Sequence, residues 1–140
     1  MSKTKKAAPK QPASITADFP SDTESEHALV DLARSLTTAA SLATALSNDG
    51  RISSSKQATF WDLSSATALF RYTINDLWFK ILEIADLSEL RKFGAIAEAA
   101  KEACAAAYET PNASTILTAF EALGAANDAV GGLLQRAASA

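Results

Sequence analysis

The fold is decided by residues 56–86, which read KQATFWDLSSATALFRYTINDLWFKILEIAD. This stretch holds six of the ten aromatic residues of the chain. Its large apolar side chains recur at spacings of three, four and seven residues, which is the repeat of one helix face. They are Phe60, Leu63, Phe70, Ile74, Leu77, Ile81 and Ile84. We therefore predict a long helix that forms the spine of an all-α domain.

A helix over all of residues 56–86 would be about 46 Å long. Because a small compact domain spans only about 30 Å, such a helix implies an elongated bundle, a projecting helix or a kink. No Gly or Pro marks its end, but either Asp86 with Glu89 or Ser88 alone can cap a new helix. The sequence therefore leaves open whether residues 56–108 form two helices or one kinked helix.

Composition favours helix in the rest of the chain, because 31 of its 140 residues are Ala and only nine are Gly or Pro. A first helix is expected to begin near Ser21. Residues 48–50 are expected to end it, with Gly50 in the left-handed conformation. Thr110 is expected to cap the last helix, with Pro111 at its first position. We predict a four-helix bundle over residues 21–140, and the length of its second helix allows an elongated form.

Residues 1–20 lack apolar periodicity and have the composition of a disordered tail. Residues 1–12 carry +4 and the whole chain −3, so the remainder carries −3 − 4 = −7. The tail lysines are candidates for a weak, salt-sensitive nucleic-acid contact. They are Lys3, Lys5, Lys6 and Lys10. Because the acidic body opposes such binding, a solubilising tail is the preferred interpretation.

Three features of the sequence indicate the cellular location of the protein. The single cysteine, Cys104, excludes an internal disulfide and suits a reducing compartment. The basic N-terminus is not followed by the apolar core of a signal peptide, and no stretch is apolar enough to span a bilayer. We expect a cytoplasmic protein that is not transmembrane.

Two sequence patterns resemble metal sites but lack ligands that those sites require. The segment from Asn48 to Ile52 resembles the middle of an EF-hand calcium loop, yet the first and last ligand positions fall on Ala45 and Lys56. A helix-terminating turn is therefore preferred. Glu98 and Glu102 lie one turn apart, but a di-iron bundle needs Glu-x-x-His motifs that the chain lacks.

Two further candidates are nucleophilic. His27, Asp31 and Ser35 share one helix face, but three groups spaced along one rigid helix rarely converge into a triad. Cys104 lies among alanines and is expected to be a small buried hydrophobe. We predict no catalytic residue, no metal site and no cofactor, and therefore no enzyme.

The function expected from the sequence rests on aromatic residues outside the main apolar face. Either neighbouring helices cover them, or part of this second face binds a partner. The predicted partner contacts are Trp61, Tyr72, Trp78, Phe79 and Leu82. We predict a small interaction or regulatory protein that binds a protein partner or itself. The alternatives are an amphipathic protein that coats a granule or membrane, and a nucleic-acid accessory factor that uses the basic tail.

Overall fold

A computed structural model describes residues 23–140 of the chain, and the predicted tail lies outside these residues. The described range contains five helices and no strand. They are α1 (Thr23–Ser47), α2 (Ser54–Asp76), α3 (Trp78–Ile84), α4 (Leu87–Glu109) and α5 (Ala113–Ser139). The prediction of an all-α protein is therefore confirmed for the part of the chain that is described.

The predicted long helix is present but interrupted at Leu77, whose φ of −108° and ψ of 18° depart from helical values. The Leu77 N–H nevertheless donates to the Thr73 carbonyl at 3.0 Å, and the Ile81 N–H donates to the Leu77 carbonyl at 2.9 Å. Both bonds have the i→i−4 spacing of an α-helix, and both involve Leu77 itself. Ile74 before the interruption and Ile81 after it are both buried, so the buried side of α2 continues into α3. Residues 56–108 form three helices rather than one or two.

Helix packing explains which faces are covered. α1 packs against α2 and α4, and α5 packs against α4 and α2, with α3 adding a contact to α5. Each long helix therefore has two principal neighbours, an order that fits the predicted bundle. The small buried residues of α1 and α4 allow these two helices to approach closely. They include Ala39, Ala43, Ala97, Ala100 and Ala107.

The core contains the apolar face predicted for the long helix, here called the inner face. Phe60, Ile74 and Ile81 are buried, and its other four members are half-buried against the core. The Phe60 ring lies 4.6 Å from the Phe120 ring of α5, centroid to centroid, at an interplanar angle of 52°. The assignment of this face from sequence spacing is therefore confirmed.

The first turn differs from the expectation at Gly50, which does not adopt the left-handed conformation. Instead, the Asn48 N–H donates to the Ala45 carbonyl at 3.1 Å, and the Asp49 N–H donates to the Leu46 carbonyl at 3.2 Å. These short-range bonds tighten the end of α1 and satisfy its last carbonyls. A left-handed glycine is then not needed.

The cap of α5 also differs from the expectation. Thr110 ends α4, and Pro111 precedes the cap rather than opening the helix. The cap is Asn112, whose Oδ1 accepts from the Thr115 N–H at 2.9 Å, while Thr115 Oγ1 accepts from the Asn112 N–H at 3.0 Å. This reciprocal capping box satisfies two backbone donors, which a Thr110 cap would leave free.

The cap of α4 agrees with the sequence. Asp86 accepts a hydrogen bond from the Glu89 N–H at 2.8 Å. The carboxylate also lies at the positive end of the helix dipole. This cap fixes the corner at which the chain turns from α3 into α4.

Candidate interaction face

One side of α2 and α3 remains in water, and we call it the outer face. Its six residues are all exposed and are separated alternately by four and three positions. They are Trp61, Ser65, Ala68, Tyr72, Asn75 and Phe79. Because that alternation matches two turns of a helix per seven residues, the six side chains lie in one row.

The aromatic members of the outer face are exposed to an unusual degree. Trp61 is 56% exposed, Tyr72 64% and Phe79 71%, and Leu69 beside the row is 64% exposed. At about 200 Å² per aromatic ring, the three rings leave about 400 Å² of surface in water. Exposed aromatic side chains that share one helix face are often part of a binding surface.

Charged residues border the outer face on both edges. Arg71 lies along one edge, and Asp62 and Asp76 lie along the other, all three exposed. None of the ion pairs found among the described residues includes them. The outer face is therefore an aromatic row with a basic edge and an acidic edge.

Three of the five predicted partner contacts lie together on the outer face, and two do not. Trp78 and Leu82 are half-buried and pack against the core. Ser65, Ala68 and Asn75 complete the row but were not predicted, because small and polar residues do not stand out in a search for apolar side chains. The alternating spacing was the signal that would have found them.

A second candidate is an open groove of about 670 Å³ between α1 and α4. His27, Asp31 and Ser35 line it, but the Ser35 hydroxyl donates to Glu98 Oε1 at 3.0 Å. The Ser35 hydroxyl is therefore engaged by Glu98 on α4. Lys101 and then Ser35, by hydrogen bonding, lower the pKa of Glu98 from its ordinary value.

The charges in this groove oppose one another. It is lined by three acids and three bases, namely Glu24, Asp31, Glu98, Arg34, Arg91 and Lys101. Lys101 Nζ lies 3.0 Å from Glu98 Oε2. Residues 24–140 bring together no group of three His, Cys, Asp or Glu side chains suited to a metal ion. The groove thus carries no net charge that would select an ionic ligand.

The segment that resembles a calcium loop is a structural tether. Arg51 Nη2 lies 2.6 Å from Asp49 Oδ2 and donates to the Tyr108 carbonyl at 2.7 Å. The guanidinium also lies 5.7 Å from the centroid of the Tyr108 ring. Hydrogen bonding to Arg51 lowers the pKa of Asp49 to about 2. The Asp49 carboxylate is therefore paired with Arg51, and the turn is fixed to the end of α4.

Cys104 is completely buried on α4. Burial raises the pKa of its thiol to about 12. A nucleophilic cysteine requires a lowered pKa and access to solvent. Cys104 therefore has the environment of a packing residue.

Comparisons with family models, with curated proteins and with solved structures find no match for this chain. Within residues 23–140, no helix combines the length and apolar character needed to cross a bilayer. Function is therefore inferred from the outer face, the groove and the contacts described above.

Proposed function

We propose that this protein is a non-catalytic interaction protein whose four long helices form a bundle that presents the outer face to a protein partner. The observation that carries the proposal is the exposure of three aromatic rings in one row. Trp and Tyr are the side chains most often responsible for binding energy at protein interfaces. A regulatory role would follow from the identity of that partner.

The outer face is held by contacts on the opposite side of the same helix. Trp61 directly follows Phe60, whose ring packs against Phe120. Thr67 is buried, and its hydroxyl lies 2.9 Å from Asn127 Oδ1 on α5. Because α2 is fixed before binding, association costs little ordering of the backbone.

A protein partner is favoured over a lipid surface by the charges at the edges. Helices that lie on anionic membranes carry Lys and Arg along their polar side. The outer face is instead bordered by Asp62 and Asp76, with Arg71 as its basic edge. The alternative of a nucleic-acid factor depends on tail lysines outside the described residues.

Photo-crosslinking in the cells that produce the protein tests this proposal. Phe79 is replaced by a photoreactive phenylalanine analogue, and the same analogue at Ala105 on the exposed side of α4 is the control. α4 packs mainly against α1 and α5, so position 105 lies away from the outer face. We expect protein adducts at position 79 and none at position 105.

The outcomes separate the alternatives. Adducts with lipid or nucleic acid at position 79 would contradict a protein partner. Equal adducts at both positions, or no adduct at position 79, would contradict the outer face as the binding surface. Because both positions are exposed, neither replacement is expected to change the unfolding free energy by more than about 0.5 kcal/mol.

A further inference from the structure

We infer that the outer face binds the outer face of a second copy of this chain, with the two α2 helices parallel and in register. The inference rests on the proposed function and names the partner. Three features of the outer face carry it, namely its spacing, the charges at its edges and its size.

The spacing is that of a two-stranded helical seam. Rows of side chains separated alternately by four and three residues form the contact line between paired helices. In a parallel pair each row position meets its own copy. The small Ser65 and Ala68 allow the helices to approach, and Asn75 then hydrogen-bonds to Asn75 of the second copy. Because a buried amide without a partner is costly, this pair favours helices that are in register.

The charges at the edges select the parallel arrangement. A two-fold axis along parallel helices brings the basic edge of one copy against the acidic edge of the other. Arg71 then faces Asp76 of the second copy, five positions further along, as in the ion pairs that flank parallel helical dimers. In an antiparallel pair each edge would meet itself, so that Asp62 and Asp76 would repel their counterparts.

The size of the outer face indicates a reversible dimer. The row from Trp61 to Phe79 is about 27 Å long. Its rings supply about 400 Å² per copy, roughly half of what a stable interface buries on each partner. The bordering residues, including Leu69, supply the remainder. The dimer is therefore expected to dissociate on dilution and, because its ion pairs are exposed, to weaken in salt.

Sedimentation equilibrium of the full chain over a dilution series tests the inference, with Arg71→Glu, Asp76→Lys and the double variant. Each single variant converts two ion pairs into like-charge contacts, and we expect dimerisation to weaken about tenfold. The double variant restores opposite charges and should recover the affinity of the unmodified chain to within about threefold. Lys92→Glu on α4 is the control, because it changes the net charge as Arg71→Glu does.

Disulfide trapping gives a second readout of orientation. In a Cys104→Ala background, Ser65→Cys is expected to form a disulfide between copies, since parallel helices in register place the two positions together. A chain that stays monomeric at every concentration would overturn the inference. A dimer without rescue by the double variant, or without trapping at position 65, would also overturn it. None of these three results would refute the proposed function if position 79 still crosslinks to another protein.

Discussion

The two faces of α2 and α3 both carry aromatic side chains but lie in opposite environments. Phe60 on the inner face is completely buried against Phe120, whereas Trp61, the next residue, is 56% exposed. The difference shows that apolar character alone does not decide burial. α5 packs over Phe60, and no helix of the described chain covers Trp61 to the same extent. An apolar face left in water in this way is the basis of the proposed function.

The largest expected effect is a contrast between these two neighbours. Phe60→Ala should lower the free energy of unfolding by about 3–5 kcal/mol, because it leaves a cavity in the core. Trp61→Ala should change the free energy by no more than about 0.5 kcal/mol, because the ring is mostly in water. Urea denaturation of dilute protein measures both. Similar losses for the two variants would show that Trp61 also belongs to the core.

A smaller effect is expected where α2 is attached to α5. Thr67→Val removes a hydroxyl that lies 2.7 Å from the Leu63 carbonyl oxygen and 2.9 Å from Asn127 Oδ1. It should cost about 1–2 kcal/mol of unfolding free energy, because the Asn127 amide loses its polar contact with α2. Thr59→Val is the matched control, since Thr59 is exposed and its hydroxyl bonds only the Ser55 carbonyl. The same denaturation measurement applies. An unchanged Thr67→Val protein would contradict the view that this bond fixes the outer face.

The smallest expected effect on stability is that of replacing Arg51. Arg51 forms an ion pair with Asp49, whereas none of the ion pairs found among the described residues includes Arg71. Arg51→Gln should raise the Asp49 pKa from about 2 towards its ordinary value of 3.8, measured by NMR titration of the carboxyl group. A lowered pKa in the folded state adds stability above pH 3.8, and this stability is lost as the pH falls towards 2. The unmodified protein should therefore lose more stability than Arg51→Gln over that range. Equal losses would indicate that the pair is not formed in solution.

Local features were predictable from the sequence, because they depend on residues that are close together along the chain. The inner face follows from helical spacing, and the Asp86 cap follows from one carboxylate before a helix. Gly50 was wrongly assigned because hydrogen bonds of Asn48 and Asp49 close the turn without it. Thr110 and Asn112 were both suitable cap residues, and only the reciprocal bonds with Thr115 distinguish them.

The exposure of the outer face was not predictable in the same way. Whether Trp61 is covered depends on where α1 and α5 pack, and that packing joins residues distant in sequence. Phe120, for example, lies sixty positions from Phe60. The interruption at Leu77 also has no Gly or Pro to announce it. The sequence therefore left two interpretations of the aromatic residues, and the structure shows which of the rings are in water.

Acrylamide quenching of Trp61 fluorescence tests the central claim most directly. The Trp78→Phe variant leaves Trp61 as the only tryptophan, and the measurement is made over a dilution series of the full chain. We predict strong quenching in dilute protein and progressive protection as the concentration rises and the outer face is covered. Weak quenching at the lowest concentration, unchanged on further dilution, would show that the chain itself buries Trp61 and would contradict the account.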